Sequence, residues 1–204
     1  MGDELTVRPA TPADEPDLMR LRIEAEQWLA KAGIDQWRSP GFRERALAKW
    51  RHDIAEGRTW VVVDGQDDVL ATVTLARPDM DFWTEEDDPD SAVYVAKLIT
   101  ARQATGLKLG GRILDWVGSI ARNQDRPWVR LDCWRDNTRL QDYYLREGFD
   151  HVRTEAPAHR LSGWMAQRPA EVMMHPDLLL HVQDEGLPQE HDTPAPVLRP
   201  RRTG

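Results

Sequence analysis

Residues 91–114 read SAVYVAKLITARQATGLKLGGRIL, and residues 115–122 continue as DWVGSIAR. The first ten residues are rich in aliphatic and β-branched side chains and predict a strand; a glycine-rich turn follows, then a helix to about Arg122. A strand that feeds such a turn leaves several backbone N–H groups unpaired at the positive end of the helix. Glycine then lets a ligand approach that backbone closely. The pattern is a cradle for an anion, phosphate above all. Two phosphate-binding patterns fail on it. GxxxxGK[ST] finds Gly106 and Gly111 at the right separation, but Arg112 and Ile113 stand where lysine and a hydroxyl are needed. GxGxxG is absent, and the segment comes too late in the chain, after a hairpin, for a first dinucleotide-binding unit. On this segment alone, a tight turn without a ligand remains the alternative.

Working outward, Thr11 and Asp14 form a capping-box-like start to a helix with apolar residues at Leu18, Leu21, Ala25 and Leu29, stopped at Gly33. Residues 40–57 predict a second helix. RTWVVVD (58–64) and VLATVTLA (69–76) predict two strands joined by the turn GQDD. TEEDDPD (84–90) reads as a solvated acidic loop. Downstream, WVRLDCW (128–134) predicts a strand, NTRLQDYYLREG (137–148) a short helix closed by Gly148, and FDHVRTEA and SGWMAQRP the last strands. The order βααβββαβαβ as far as FDHVRTEA, without internal repeats, implies an α/β domain of mixed sheet topology.

The whole chain, 204 residues with 40% hydrophobic residues, fits one domain with an extension. We read residues 1–168 as the domain and 169–204 as a C-terminal extension. From Glu171 the composition shifts to an apolar patch, DLLLHV, that packs on the domain or on a partner, and then to a Pro-rich tail. No run reaches the roughly 18 to 20 apolar residues that span a bilayer, and the first ten residues lack a signal-peptide layout. The single cysteine, Cys133, fits a reducing compartment. The expectation is a cytoplasmic protein. A net charge of -8 argues against nucleic acid or anionic membrane as partners and makes a cationic acceptor the natural one. His175, His181 and His191 match no metal-ligand spacing, so no metal is expected.

The segment WVRLDCWRDNTRLQDYYLREGF, with Asn137, Tyr144, Gly148 and Phe149, resembles the second half of the acetyl-CoA site of the GNAT N-acetyltransferase superfamily. Beside it, KLITARQATGLKLGGRIL resembles that family's pyrophosphate segment, [RQ]xxGx[GA] followed by an aliphatic pair. Aligned on Ile113 and Leu114, the last glycine falls on Gly110, Thr105 takes the Arg/Gln position and Lys108 the middle glycine. A loop that needs left-handed geometry at Lys108 would be strained, so either the backbone there is ordinary helix or the alignment is off by one. The resemblance covers roughly residues 5 to 168 and is strongest over 91–149; with RLDCWRDN and GIDQW, it points to a bacterial subgroup whose acceptors are largely unknown.

The resemblance implies the GNAT fold: a mixed central sheet flanked by helices on both faces, with a V-shaped splay between two central parallel strands where acetyl-CoA lies like an added strand. Leu98 and Thr100 would pair with the pantetheine arm, and the amide of Leu98 or Ile99 would face the thioester oxygen. Thr105, Gly106, Lys108, Leu109, Gly110, Gly111 and Asn137 would complete the cofactor site, with Asn137 also able to cap the short helix. Tyr144 matches the general acid beside the sulfur; packing on the sheet is its bland alternative, and Tyr143 is the expected packing residue. The family's glutamate position holds Tyr94, which leaves Asp132, Glu85 or Glu86, or a water chain as the base, although Asp132 is equally a structural acceptor. Cys133 reads as a small core residue.

Trp28, Gln36, Trp37, Trp83, Tyr94 and Trp134 are the expected acceptor-binding residues, and an aromatic wall beside the acidic loop suits a cationic or partly apolar amine. The expected activity is direct acetyl transfer to a primary amine of a small molecule, in a protein that the family resemblance allows to be a homodimer. Two other classes stay open. One is a non-catalytic acyl-CoA-binding or interaction module; the other is a toxin-like enzyme acting on charged transfer RNA, which the net charge of -8 opposes.

Overall fold

The computed structural model describes residues 5–34 and 41–183. In chain order it has β1 (Thr6–Pro9), α1 (Glu15–Lys31), α2 (Phe42–Ala55), β2 (Thr59–Val63), β3 (Val69–Ala76), β4 (Ala92–Thr100), α3 (Leu109–Asn123), β5 (Trp128–Trp134), α4 (Thr138–Arg146), β6 (Asp150–Thr154), β7 (Ser162–Pro169) and β8 (His181–Val182). The strands form one sheet in the order β6-β7-β5-β4-β3-β2-β1-β8. It is mixed: β4 with β5 and β1 with β8 run parallel, and the other neighbours antiparallel. All five residues of β2 are buried. Because successive side chains of a strand face opposite ways, both faces of the sheet there are covered.

Local chemistry accounts for most of these elements. Thr11 N donates to the Asp14 carboxylate at 2.7 Å, so the anticipated capping box forms, ahead of a short 3-10 turn that leads into α1. The stripe Leu18, Leu21 and Leu29 is buried, and α3 sets Trp116 edge-on to Trp60 of β2 with ring centroids 5.1 Å apart. Such a pair adds roughly 0.5–1.5 kcal/mol to the area that it buries.

The apolar patch after Glu171 packs on the domain. The buried Asp115 carboxylate of α3 accepts from Met174 N at 3.0 Å and His175 N at 2.7 Å. Arg112 of the same helix donates to the carbonyls of Leu178 and Leu179, and β8 then pairs with the β1 edge. Residues 170–183 therefore strap α3 to the far edge of the sheet. No helix among the described residues is long and apolar enough to cross a membrane.

Candidate active site

Strands β4 and β5 are nine and seven residues long, yet they pair only over Ala92–Tyr94 and Trp128–Arg130. Beyond Tyr94 they part, and the expected V opens between them. Which backbone groups of β4 line it is set by a bulge. Opposite β3, the register steps two residues (Thr72 to Thr74) while β4 steps three (Ala96 to Ile99), and Lys97 takes a left-handed φ of 50°. Ala101 N donates to Leu70 O of β3. With strand alternation, Ile99 then also faces β3, and Leu98 and Thr100 turn their N–H and C=O groups into the V. Of the two amides anticipated to face a thioester, the bulge presents Leu98 and turns Ile99 away.

At the open end of the V lies the glycine-rich turn. The alignment dilemma at Lys108 resolves in neither expected way: Lys108 is the residue before α3 and itself adopts the left-handed conformation, φ 53°. Arg112 N is the first amide of the turn to find a helical partner, Lys108 O. No described residue accepts from the amides of Leu109, Gly110 or Gly111, which leaves three donors at the helix's positive end. Gly106 needs its glycine for its backbone, at φ 98°. Gly110 and Gly111 need theirs for a different reason from the one anticipated. A Cβ at Gly110 would lie 2.3 Å from the Tyr143 hydroxyl, and one at Gly111 would lie 2.1 Å from His175 Nε2. These two glycines admit protein side chains at the back of the turn while their amides stay unpaired. Thr105 is exposed and donates its hydroxyl to Arg102 O at 2.6 Å.

Asn137 caps α4, its side chain accepting from Leu140 N at 3.1 Å. This fixes the start of the helix that carries Tyr144. The Tyr144 ring is buried edge-on to Phe149 at 5.7 Å, and among the described residues its hydroxyl has no hydrogen-bond partner. Burial, with Cys133, Tyr143 and Asp132 nearby, pushes its hydroxyl pKa well up, so it is a proton donor at neutral pH. Tyr143, the expected packing residue, packs against Gly110. Asp132 lies on β5 beyond the last residue paired to β4. Burial first, and then the Asp79 carboxylate, push it up to about 6, against a lowering contact from Ser162. A carboxylate poised there can accept a proton near neutral pH. Cys133 is buried and its thiol is pushed up to about 12 by that burial, so it carries no thiolate and stays the core residue anticipated.

The acceptor residues divide. Trp28 is exposed, with the Arg102 guanidinium 4.9 Å over its ring, and Trp134 is half-buried at the end of β5. Gln36 and Trp37 lie outside the described residues. Trp83 and Tyr94 are corrected. Trp83 is 1% exposed in a second apolar cluster with Phe82, Tyr94 and Met165, and it is clamped by Arg130 and Arg153 at 4.9 and 5.8 Å. Tyr94 is buried, donating to Pro89 O and accepting from Arg130. Neither has surface to offer an acceptor.

The acidic loop is also less free than its charge suggests. Arg153 binds both Asp87 oxygens and holds that carboxylate down to about 2. Arg160 grips Asp79 at 2.5 Å, pairs with Asp81 and stacks 4.4 Å over Phe82. These arginines come from β6 and the loop before β7, more than sixty residues away in sequence. Nothing local signals the pairing; the only hint is that arginine, acid and aromatic residues all recur in these segments.

No family model matches the chain. Over 165 residues, 79% of its length, the chain is 27% identical to the uncharacterized N-acetyltransferase YesJ of Bacillus subtilis, covering 90% of that protein. Its fold superposes on an acetyltransferase of the GNAT family from Listeria monocytogenes with a TM-score of 0.66 at 22% identity, over 81% of this chain and 94% of that one. It also superposes on the PaiA N-acetyltransferase from Thermoplasma acidophilum, solved in complex with coenzyme A, with a TM-score of 0.59 at 14% identity over 81% and 99%. The chain has the fold of the GNAT acetyltransferases.

Proposed function

We propose that the protein is an acetyl-CoA-dependent N-acetyltransferase that moves an acetyl group to a primary amine of a small molecule by direct transfer, carried by residues 1–168 with 169–204 as an extension. The observation that carries this is the V. One strand edge turns Leu98 and Thr100 into it, three unpaired amides stand at its mouth, and Asp132 and Tyr144 stand beside it. These groups fit acetyl-CoA, which would supply the acetyl group as an activated thioester. The edge of β4 suits an amide-bearing arm, and the amides of Leu109, Gly110 and Gly111, with exposed Lys108, suit a pyrophosphate.

In this reading the Leu98 amide stabilises negative charge on the carbonyl oxygen. Asp132 takes the proton of the attacking amine, directly or through water, and Tyr144 gives its hydroxyl proton to the departing sulfur. Trp28 and Trp134 are the remaining aromatic candidates for the acceptor side.

Calorimetric titration with acetyl-CoA tests the reading, and an amine screen with Tyr144→Phe separates it from a non-catalytic module. We expect micromolar binding that survives in Tyr144→Phe, with kcat reduced on the order of a hundredfold. Absence of binding in the wild-type protein defeats the assignment; binding without turnover of any amine favours the module. Gly110→Glu is a poor probe of the turn, because its side chain would collide with Tyr143.

A further inference from the structure

Lys97 stands at a position that favours glycine. It is the left-handed residue of the β4 bulge, at φ 50°, where a side chain is strained. The bulge sets which amide enters the V. Without the extra residue, alternation would turn Leu98 toward β3, as Ala96 is, and would send the Ile99 amide into the cleft instead.

The lysine side chain supplies what a glycine could not. Its ammonium forms an ion pair with Asp53 of α2 and lies 5.9 Å from the centre of the Trp50 ring. Both partners are sheltered, with side-chain exposures of 22% and 14%. Asp53 is itself held by Arg58 Nη2 at 2.5 Å and, through its carbonyl, by Arg58 N at 2.8 Å. Lys49 and Arg58 repel the ammonium while Asp53 attracts it, so the carboxylate is the group that keeps it in place.

We propose that Asp53 is a positioning residue: by holding Lys97 it keeps the bulge in its left-handed form and so aims the Leu98 amide into the cleft. This rests on Leu98 as the amide that addresses the thioester. Helix α2 and the reacting centre are thereby joined through one side chain, that of Lys97, and a shift of α2 would be felt at Leu98.

The test needs no acceptor. Backbone amide spectra are recorded with coenzyme A and with acetyl-CoA, and the Leu98 shift that separates the two is measured. In the wild-type protein we expect Leu98 to respond to the acetyl group and the amides of Leu109, Gly110 and Gly111 to respond equally to both ligands. In Asp53→Ala and in Lys97→Ala the Leu98 response should fall at least threefold while the turn amides respond as before. With glycine at 97 the left-handed form no longer needs a latch, so Asp53→Ala in a Lys97→Gly background should keep most of the response. A merely structural role for the ion pair would not give that rescue. A full Leu98 response in Asp53→Ala overturns the latch. A double variant as weak as Asp53→Ala alone also overturns it. A wild-type Leu98 that ignores the acetyl group, while the turn amides respond, overturns instead the role assigned to Leu98, and the latch's purpose with it.

Discussion

The two ends of β4 handle charge in opposite ways. At its C-terminal end, the turn of residues 105–111 leaves donors without partners; among the described residues nothing accepts from the amides of Leu109, Gly110 and Gly111, and Lys108 beside them is exposed. At its N-terminal end, the loop of residues 77–91 carries a run of acids that invites a cationic ligand, yet Asp79, Asp81 and Asp87 are taken by Arg160 and Arg153. An unpaired group predicts a ligand better than a charged one does. A helix N-terminus cannot satisfy its own first amides, whereas a surface carboxylate is readily satisfied by an arginine from elsewhere in the fold.

The largest effect tests whether the back of the turn is as firmly built as its front is open. Asp115 accepts from Arg168, which has no exposed surface, and from the amides of Met174 and His175. Asp115→Ala would leave a buried guanidinium without its counter-ion and release the strap, with a loss of roughly 3–5 kcal/mol in denaturant unfolding. A loss under about 1 kcal/mol would show that the strap contributes little to holding the back of the turn.

Between the two ends stands Asp132. Its folded pKa is raised to about 6, so the basic form is present only above that pH, and kcat/KM should climb as pH rises through about 6. In Asp132→Asn that limb should vanish and the plateau fall roughly tenfold to a hundredfold. The sign for stability is the reverse. A raised carboxyl favours the folded state below its unfolded pKa, and that advantage is lost as pH rises through about 6. Asp132→Asn should therefore melt higher than the wild-type protein at pH 8, and a lower melting temperature would mark Asp132 as a structural acceptor.

Smaller changes sharpen the contrast. Lys108→Glu should weaken acetyl-CoA binding by up to about tenfold at low salt, and less as salt rises, because the group is exposed and screened. The double change Glu85→Gln with Glu86→Gln should alter stability by less than about 0.5 kcal/mol and an amine's KM by less than about twofold, since both side chains are exposed and remote changes of this kind are screened. A larger rise in KM would return the acidic loop to the acceptor site and break the contrast.

The sequence by itself determined the elements and the class. Periodicity placed the α1 stripe at Leu18, Leu21 and Leu29, the Thr11–Asp14 box formed where it was read, Asn137 capped α4, and the pair of segments around Gly110 and Tyr144 led to the GNAT fold. The first three depend on neighbours within a few residues, and short-range rules carry them; the last rests on the family resemblance of two segments. What only the tertiary structure decided depends on partners far along the chain. Trp83 and Tyr94 looked like acceptor residues until Arg130 and Arg153 closed over them, Gly110 and Gly111 proved to make room for Tyr143 and His175, and Lys97 and Lys108 took left-handed conformations that no residue propensity would assign to lysine. A backbone strain of that kind, costing roughly 1–2 kcal/mol for a residue with a side chain, persists only where contacts from distant segments outweigh it, and those contacts exist only once the chain has folded.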